Sequence, residues 1–153
     1  MKKFAANYVI SESGSLLKNG ILIAGDDGTV SEIIDTKGDL DEMAQLTFHN
    51  GILMTNNLYS RKSAINSEKN ELSQFVSLQI RSFSQLTTFE IIDIAQKTQT
   101  EFPELKIAQI IAAIFSILDS SFNKDRQAGV FLLIHSDLIG MHFKPQSRLK
   151  RIL

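Results

Sequence analysis

Cysteine is absent from this sequence and histidine is rare, with 3 residues in 153. The lack of cysteine excludes a disulfide framework and every cysteine-based zinc site, and it fits a reducing compartment. Long apolar runs are lacking too, since the longest, residues 110–115, is far too short to span a bilayer. A secretory signal is also not formed, because Asn7, Ser11 and Glu12 interrupt its apolar region. These absences predict a soluble, cytoplasmic protein.

An excess of either charge is missing as well. The 16 basic residues nearly balance the 17 acidic ones, which gives a net charge of -1. No net field therefore favours nucleic acid or an anionic membrane, and neither is expected as a partner. The hydrophobic share of 43% and the charged share of 22% are ordinary for a globular protein. The length suits a single domain, residues 1–153, with a buried core.

The first part of the chain, residues 1–53, favours β-strands. Residues 25–28 read Gly-Asp-Asp-Gly between two apolar runs. This pattern indicates a hairpin, because glycine accepts the positive φ that the turn requires. The stretch 46–54 predicts a short strand, a bend at Gly51 and a second apolar run. Residues 54–69 are polar and without periodicity, which favours an irregular segment.

The middle of the chain, residues 70–119, predicts three helices. In the first, a stripe of apolar residues follows helical spacing: Leu72, Phe75, Val76, Ile80 and Phe83. Residues 87–90 fit a capping box at the start of the second helix, and Pro103 ends that helix. The third, residues 105–118, is apolar on nearly every side and is therefore predicted to be the most buried helix.

The last part of the chain returns to strands. Residues 130–134 are a continuous apolar run, typical of a central strand that is buried on both faces. After a loop, residues 149–153 predict a final short strand, and the basic residues around it favour a solvated edge strand. The order predicts an α+β fold. A sheet or small sandwich is built from residues 1–53 and 128–153, and the three helices pack on one face.

Segments at both ends of the chain resemble one enzyme family. Near the start these are residues 7–10, 17–20, 26–30 and 48–53. Near the end they are residues 102–105, 121–122, 128–133 and 145–149. In this order they resemble the amidohydrolase superfamily, in particular the chlorohydrolase, cytosine-deaminase and imidazolonepropionase type. The resemblance implies a small composite β-sandwich, formed by both chain ends, beside a metal-bearing (β/α)₈ barrel.

The middle of the chain departs from that family. Between Gly51 and Gly129 the chain is far shorter than the roughly 200 residues of a complete barrel, so most of the barrel is missing. The family's first metal ligands, a His-x-His, would fall within residues 56–61, which hold no histidine. Its last metal ligand, an aspartate, would fall at residues 79–81, which read Gln-Ile-Arg. No metal ligand carries over from the family.

Three other residues are candidate metal ligands: His135, Asp137 and His142. Their spacing imitates a zinc site, but their position after a buried strand favours an ordinary loop. His49 is interpreted as a strand-edge residue, and the acidic stretch 35–42, which lacks the pattern of a calcium loop, as a solvated loop. No phosphate-binding loop, nucleophile elbow or Ser/His/Asp spacing is present. No catalytic residue and no cofactor are therefore predicted.

Two functional hypotheses follow. In the first, the chain is a degenerate amidohydrolase-like protein without a metal site, non-catalytic, that acts as a binding or assembly module. Its partner would be a second copy in a homodimer or a full-length amidohydrolase, because the third helix carries more apolar surface than this chain is expected to cover. In the alternative, the chain is a metal-dependent hydrolase of non-peptide C–N bonds. Its site is then relocated to His135, Asp137 and His142 or supplied by a partner.

Overall fold

The computed structural model describes residues 1–11, 13–41, 44–56, 71–82, 87–122 and 129–153. The strands are β1 (Lys2–Ile10), β2 (Leu16–Lys18), β3 (Ile21–Ala24), β4 (Val30–Ile34), β5 (Leu46–Thr55), β6 (Val130–Ile134) and β7 (Arg148–Arg151). The helices are α1 (Glu71–Arg81), α2 (Thr88–Glu101) and α3 (Ile107–Phe122). Within these ranges, no helix is both long and apolar enough to cross a membrane.

The strands form one mixed sheet in the order β4-β3-β1-β5-β6-β7, with β2 also paired to β1. Strands β1 and β5 are parallel, and the other pairs are antiparallel. The predicted α+β fold, with both chain ends in one sheet and three helices between them, is confirmed. The described strands make a single open sheet, with β4 and β7 at its edges, so a closed barrel is not formed.

Strand β5 differs from its prediction, because it continues through Gly51 without a bend. The register between β1 and β5 shifts between Ala6 and Tyr8, which makes a bulge at this point. The side chain of Asn7 fills the gap in the ladder, since its Oδ1 accepts a hydrogen bond of 2.7 Å from the Gly51 N–H. The glycine thus marks an irregularity inside one long strand, and the bend expected at Gly51 is wrong.

The predicted hairpin between β3 and β4 is confirmed. The Gly25 N–H donates to the Thr29 carbonyl at 2.9 Å, and Gly28 has a φ of 84°. Asp27 Oδ1 accepts the Thr29 N–H at 3.0 Å, and this bond lowers the pKa of the Asp27 carboxyl. A turn with Asn19 at a φ of 54° follows β2 and leads into β3.

The three helices pack on one face of the sheet, as predicted. Helix α2 opens with the capping box, in which the Thr87 N–H donates to Glu90 Oε2 at 3.0 Å. Helix α3 begins later than predicted, so Pro103 lies in the connection before it. The Lys106 N–H donates to Gln109 Oε1 at 2.8 Å and caps the first turn of α3. The core between helices and sheet includes six buried residues of the sheet: Ile10, Ile52, Met54, Phe131, Leu133 and Leu149.

Helix α3 is deeply buried, as its sequence predicts. Its large apolar side chains are at most 1% exposed at six positions: Ile107, Ile110, Ile111, Ile114, Phe115 and Leu118. The chain itself covers this helix, mainly with α1, α2 and the sheet. The expectation that α3 leaves an apolar patch for a partner is therefore wrong.

The opposite face of the sheet is also apolar and buried. Its core joins residues from β1, β3, β4, β5 and β6: Phe4, Ala6, Val9, Leu22, Ala24, Val30, Leu53, Val130 and Leu132. The C-terminal Ile152 and Leu153 pack against this cluster. Strand β6 contributes to both cores, which explains why its sequence is apolar without alternation.

Candidate functional site

Asp137 and His142, two of the predicted metal ligands, face each other across a tight turn. The Asp137 N–H donates to the His142 carbonyl at 3.0 Å, and the His142 N–H returns a bond of 3.2 Å. Asp137 Oδ1 also accepts the N–H groups of Gly140 at 3.1 Å and Ile139 at 3.0 Å. These two bonds hold the pKa of the Asp137 carboxyl below its ordinary value of 3.8. The carboxylate therefore has a structural task, which is to fix the turn.

His135, the third predicted ligand, opens into a different space. It has a φ of 62° and, with Asn7 and Asn50, lines a cavity of about 420 Å³ beside the β1–β5 bulge. His142 instead lines a cavity of about 580 Å³ against α2. Among the residues that the structure describes, no three histidine, aspartate or glutamate side chains gather where they could hold a metal ion. The proposed relocated site on His135, Asp137 and His142 is thus not assembled by this arrangement.

The positions where the resemblance to amidohydrolases would place metal ligands were also located in the structure. Asn56, just after β5, is buried, and its Oδ1 accepts the Gly129 N–H at 2.9 Å. This bond ties the end of β5 to the start of β6. Residues 79–81 form the last turn of α1, where Ile80 is 1% exposed and part of the core. Residues 57–61 lie outside the described part of the chain.

His49 lies within β5, opposite Ala6 of β1. Strand β6 pairs with β5 only from Ile52 onwards, so among the described strands His49 has a partner on one side alone, in agreement with its prediction as a strand-edge residue. Its ring packs at 5.7 Å from the ring of Phe4, measured between centroids. Burial lowers the pKa of His49 below the ordinary 6.5. The Nε2 atom is buried, and no described group forms a hydrogen bond with it. The contact with Phe4 gives the ring a packing role, and within the described part of the chain His49 belongs to no group of three possible metal ligands.

A groove of about 460 Å³ runs between helix α2 and strand β7. One wall is the first half of α2, with Phe89, Ile92 and Asp93, and the other wall is residues 145–150. Phe89 is 82% exposed, whereas Ile92, one turn further on, is 7% exposed. The groove therefore has a buried apolar floor and an exposed aromatic ring at its rim.

Hydrogen bonds fix the two walls relative to each other. Gln96 Nε2, on α2, donates to the carbonyls of Lys144 at 2.8 Å and Pro145 at 3.3 Å. Gln99 Oε1, one turn later, accepts the Phe143 N–H at 2.6 Å. Ser147 Oγ accepts the Lys144 N–H at 2.8 Å and closes the loop just before β7. Because side chains hold the loop at several points, the groove is largely formed before any partner arrives.

Strand β7 is an edge of the sheet, as its basic sequence predicts. It pairs with β6, and no described strand lies on its other side. Arg148 and Lys150 are exposed, while Leu149 between them is buried against α2. The sequence thus indicated the edge, but the groove beside it was missed. The available signals were Phe89 on the first turn of α2, directly after its cap, and the charged-apolar-charged alternation in β7.

The chain was compared with known proteins, and no family model, no curated protein and no solved structure matches it.

Proposed function

We propose that this chain is a degenerate amidohydrolase-like protein that acts as a non-catalytic binding or assembly module. The observation that carries the proposal is the groove between α2 and β7. It combines an open sheet edge, an apolar floor and walls fixed by hydrogen bonds. An open strand edge beside a helix is a common place for a partner segment to bind.

Support for the family relationship comes from the sheet. In the amidohydrolase type that the sequence resembles, the small β-domain is built from both ends of the chain. Here β1 to β5 come from the first 55 residues, β6 and β7 from the last 24, and all lie in one sheet. A chain that kept this domain and lost most of the barrel would keep the scaffold without the metal site.

Support for a non-catalytic role comes from the polar side chains. Hydrolases of this type use a metal ion to generate hydroxide near neutral pH and to polarise the scissile group. The carboxylate of Asp137 is engaged with two backbone N–H groups, and His135 and His142 open into separate cavities. The rival hypothesis, a hydrolase with a relocated site, has no assembled ligand set among these residues.

The partner in this proposal is a second copy of the chain or a full-length amidohydrolase. Helix α3 is covered within the chain, so it is not the contact surface. The groove offers an exposed apolar side chain instead, since Phe89 at its rim is 82% exposed.

Size-exclusion chromatography with light scattering tests the proposal. A homodimer should elute with twice the monomer mass at micromolar concentration. If the mass stays that of a monomer, the full-length amidohydrolase encoded nearest to this chain's gene is added at equimolar ratio, and a joint peak is expected. A monomer that neither self-associates nor shifts in this mixture would contradict an assembly role with these two partners.

A further inference from the structure

We infer that the groove between α2 and β7 binds an extended, acidic segment of a partner protein, which pairs with β7 as an added strand. This inference rests on the proposed binding role and names the chemistry of the partner. Three features support it: the direction of the backbone groups of β7, the alternation of its side chains and its charge.

The backbone of β7 presents hydrogen-bonding groups to the groove. The Ile152 N–H donates to the Val130 carbonyl at 2.9 Å, and the Val130 N–H donates to the Leu153 carbonyl at 3.1 Å, so the N–H of Ile152 faces β6. Bonded pairs alternate along an antiparallel ladder, so Lys150 and Arg148 also direct their backbone groups towards β6. The N–H and C=O of Leu149, between them, then point towards the open edge. An incoming strand in this position can bond to Leu149.

The side chains next to that edge specify an alternating partner. On the α2 side, Phe89 and Ile92 offer an apolar surface for every second residue of an added strand. On the opposite side, Arg148 and Lys150 are exposed and project from the other face of the sheet, away from Leu149. A strand whose apolar residues face α2 therefore places the intervening residues beside two cations.

Charge selects an acidic segment over a second copy of β7. The strand reads Arg-Leu-Lys-Arg, so two β7 edges brought together would oppose like charges, which is unfavourable. Asp93 is the acidic residue that lines the groove, and its carboxylate is paired with Lys97 at 3.0 Å. Acidic side chains at alternate positions of the partner would meet Arg148 and Lys150 instead. The fit is that of a segment in which glutamate or aspartate alternates with apolar residues.

A fluorescent octapeptide in which glutamate alternates with valine is a direct probe. Its anisotropy should rise in a saturable way when the full-length chain is added at low salt. The matched peptide with lysine in place of glutamate should not bind. Raising the salt to about 1 M should weaken the interaction, since the contributing charges are exposed. Amide hydrogen exchange at Leu149 should slow when the acidic peptide is bound.

Two variants locate the contact. The double reversal Arg148→Glu with Lys150→Glu should weaken binding of the glutamate peptide by about tenfold or more, which corresponds to about 1.4 kcal/mol for each factor of ten. Phe89→Ala should weaken it as well, and because this side chain is exposed the fold should persist. The matched control is the double reversal of two exposed lysines on β1 and β2, Lys2→Glu with Lys18→Glu. It should leave the affinity unchanged, since β5 and β6 separate these strands from β7.

Three results would overturn the inference. They are no binding of the glutamate peptide, equal binding of the lysine peptide, or an equal loss of peptide affinity in the Arg148→Glu, Lys150→Glu variant and in the lysine control. A fourth would be a wild-type chain that self-associates and dissociates on Phe89→Ala, because the groove would then hold a second copy. If the peptide fails while a complex still forms in light scattering, the acidic partner is wrong and the proposed function stands. If both fail, the binding role fails too.

Discussion

Gly51 lies beside the bulge between β1 and β5 and directly against strand β6. Its φ is 139°, and a Cβ at this position would collide with the carbonyl oxygen of Leu133. The N–H of the same residue is held by Asn7 across the bulge. A side chain is therefore excluded twice, by the backbone conformation and by the neighbouring strand.

Replacing Gly51 with alanine should lower the free energy of unfolding by about 3 kcal/mol or more, because a buried backbone contact has to move. Gly38→Ala is the matched control. Gly38 also has a positive φ, 88°, but an added Cβ would meet nothing within 4 Å. Only conformational strain of about 1–2 kcal/mol is expected there. Urea denaturation of both variants measures the difference. Equal losses of unfolding free energy would contradict the inference that the Leu133 carbonyl oxygen excludes a side chain at position 51.

His49 should make stability depend on pH. The unfolded chain takes up a proton near the ordinary pKa of 6.5, whereas the folded chain does so only at lower pH, because burial lowers the pKa of His49. The free energy of unfolding should therefore fall as the pH decreases below about 6.5. Backbone hydrogen bonds lower the pKa of the Asp27 and Asp137 carboxyls below the ordinary value of 3.8. These two groups therefore change the stability only at more acidic pH.

The variant His49→Leu isolates this effect. Urea denaturation at several pH values between about 7.5 and 5.5 should give a smaller slope of stability against pH in the variant than in the wild type. The same slope in both proteins would show that another group is responsible.

For individual residues, the sequence indicated which polar side chains lie close together along the chain, but not the directions in which these side chains point. The sequence spacing alone is compatible with a zinc site formed by His135, Asp137 and His142. The two backbone bonds to Asp137 Oδ1 depend on the turn through Ile139 and Gly140, and His142 and His135 line different cavities. An aspartate followed by glycine three residues later is a turn signal, and it favours the structural role of Asp137.

Among the elements, helix α3 is buried along most of its length. The continuous apolar sequence predicted its burial correctly, because a helix that is apolar all round has no face suited to water. Phe115 lies at its centre, fully buried, with its ring 6.0 Å from that of Phe131 on β6. It joins the helix layer to the strand that contributes to both cores.

Phe115→Ala should lower the free energy of unfolding by about 3–5 kcal/mol, since it removes a buried ring and leaves a cavity. Phe89→Ala removes the same atoms from a side chain that is 82% exposed, and a loss within about 0.5 kcal/mol is expected. Thermal or urea unfolding compares the two. A small loss for Phe115→Ala would contradict the assignment of α3 as the central helix.

The sequence located most elements through local signals. The capping box and the Asp-Gly turn depend on contacts within a few residues, so both can be predicted from the sequence. The continuity of β5 cannot be predicted in this way. A glycine between apolar runs suggests a bend unless a distant residue completes the hydrogen-bond ladder. Asn7 does so from 44 positions away.

For the whole molecule, the shared sheet of both chain ends was predictable from the strand-helix-strand order. The sequence could not predict how much of the apolar surface of α3 the chain buries by itself. That amount depends on how α1 and α2 pack against this helix. The groove beside β7 has the same origin, since it exists only because α2 packs next to that strand.

The measurement that tests the central claim most directly is the zinc content of the purified protein after equilibrium dialysis against zinc ions and removal of weakly bound metal. Far less than one zinc per chain is expected, with the same value in His135→Ala and His142→Ala, because Asp137 Oδ1 is bonded to backbone N–H groups and the two histidines line separate cavities. One tightly held zinc per chain that is lost in His135→Ala or His142→Ala would contradict the non-catalytic role and favour the relocated hydrolase site.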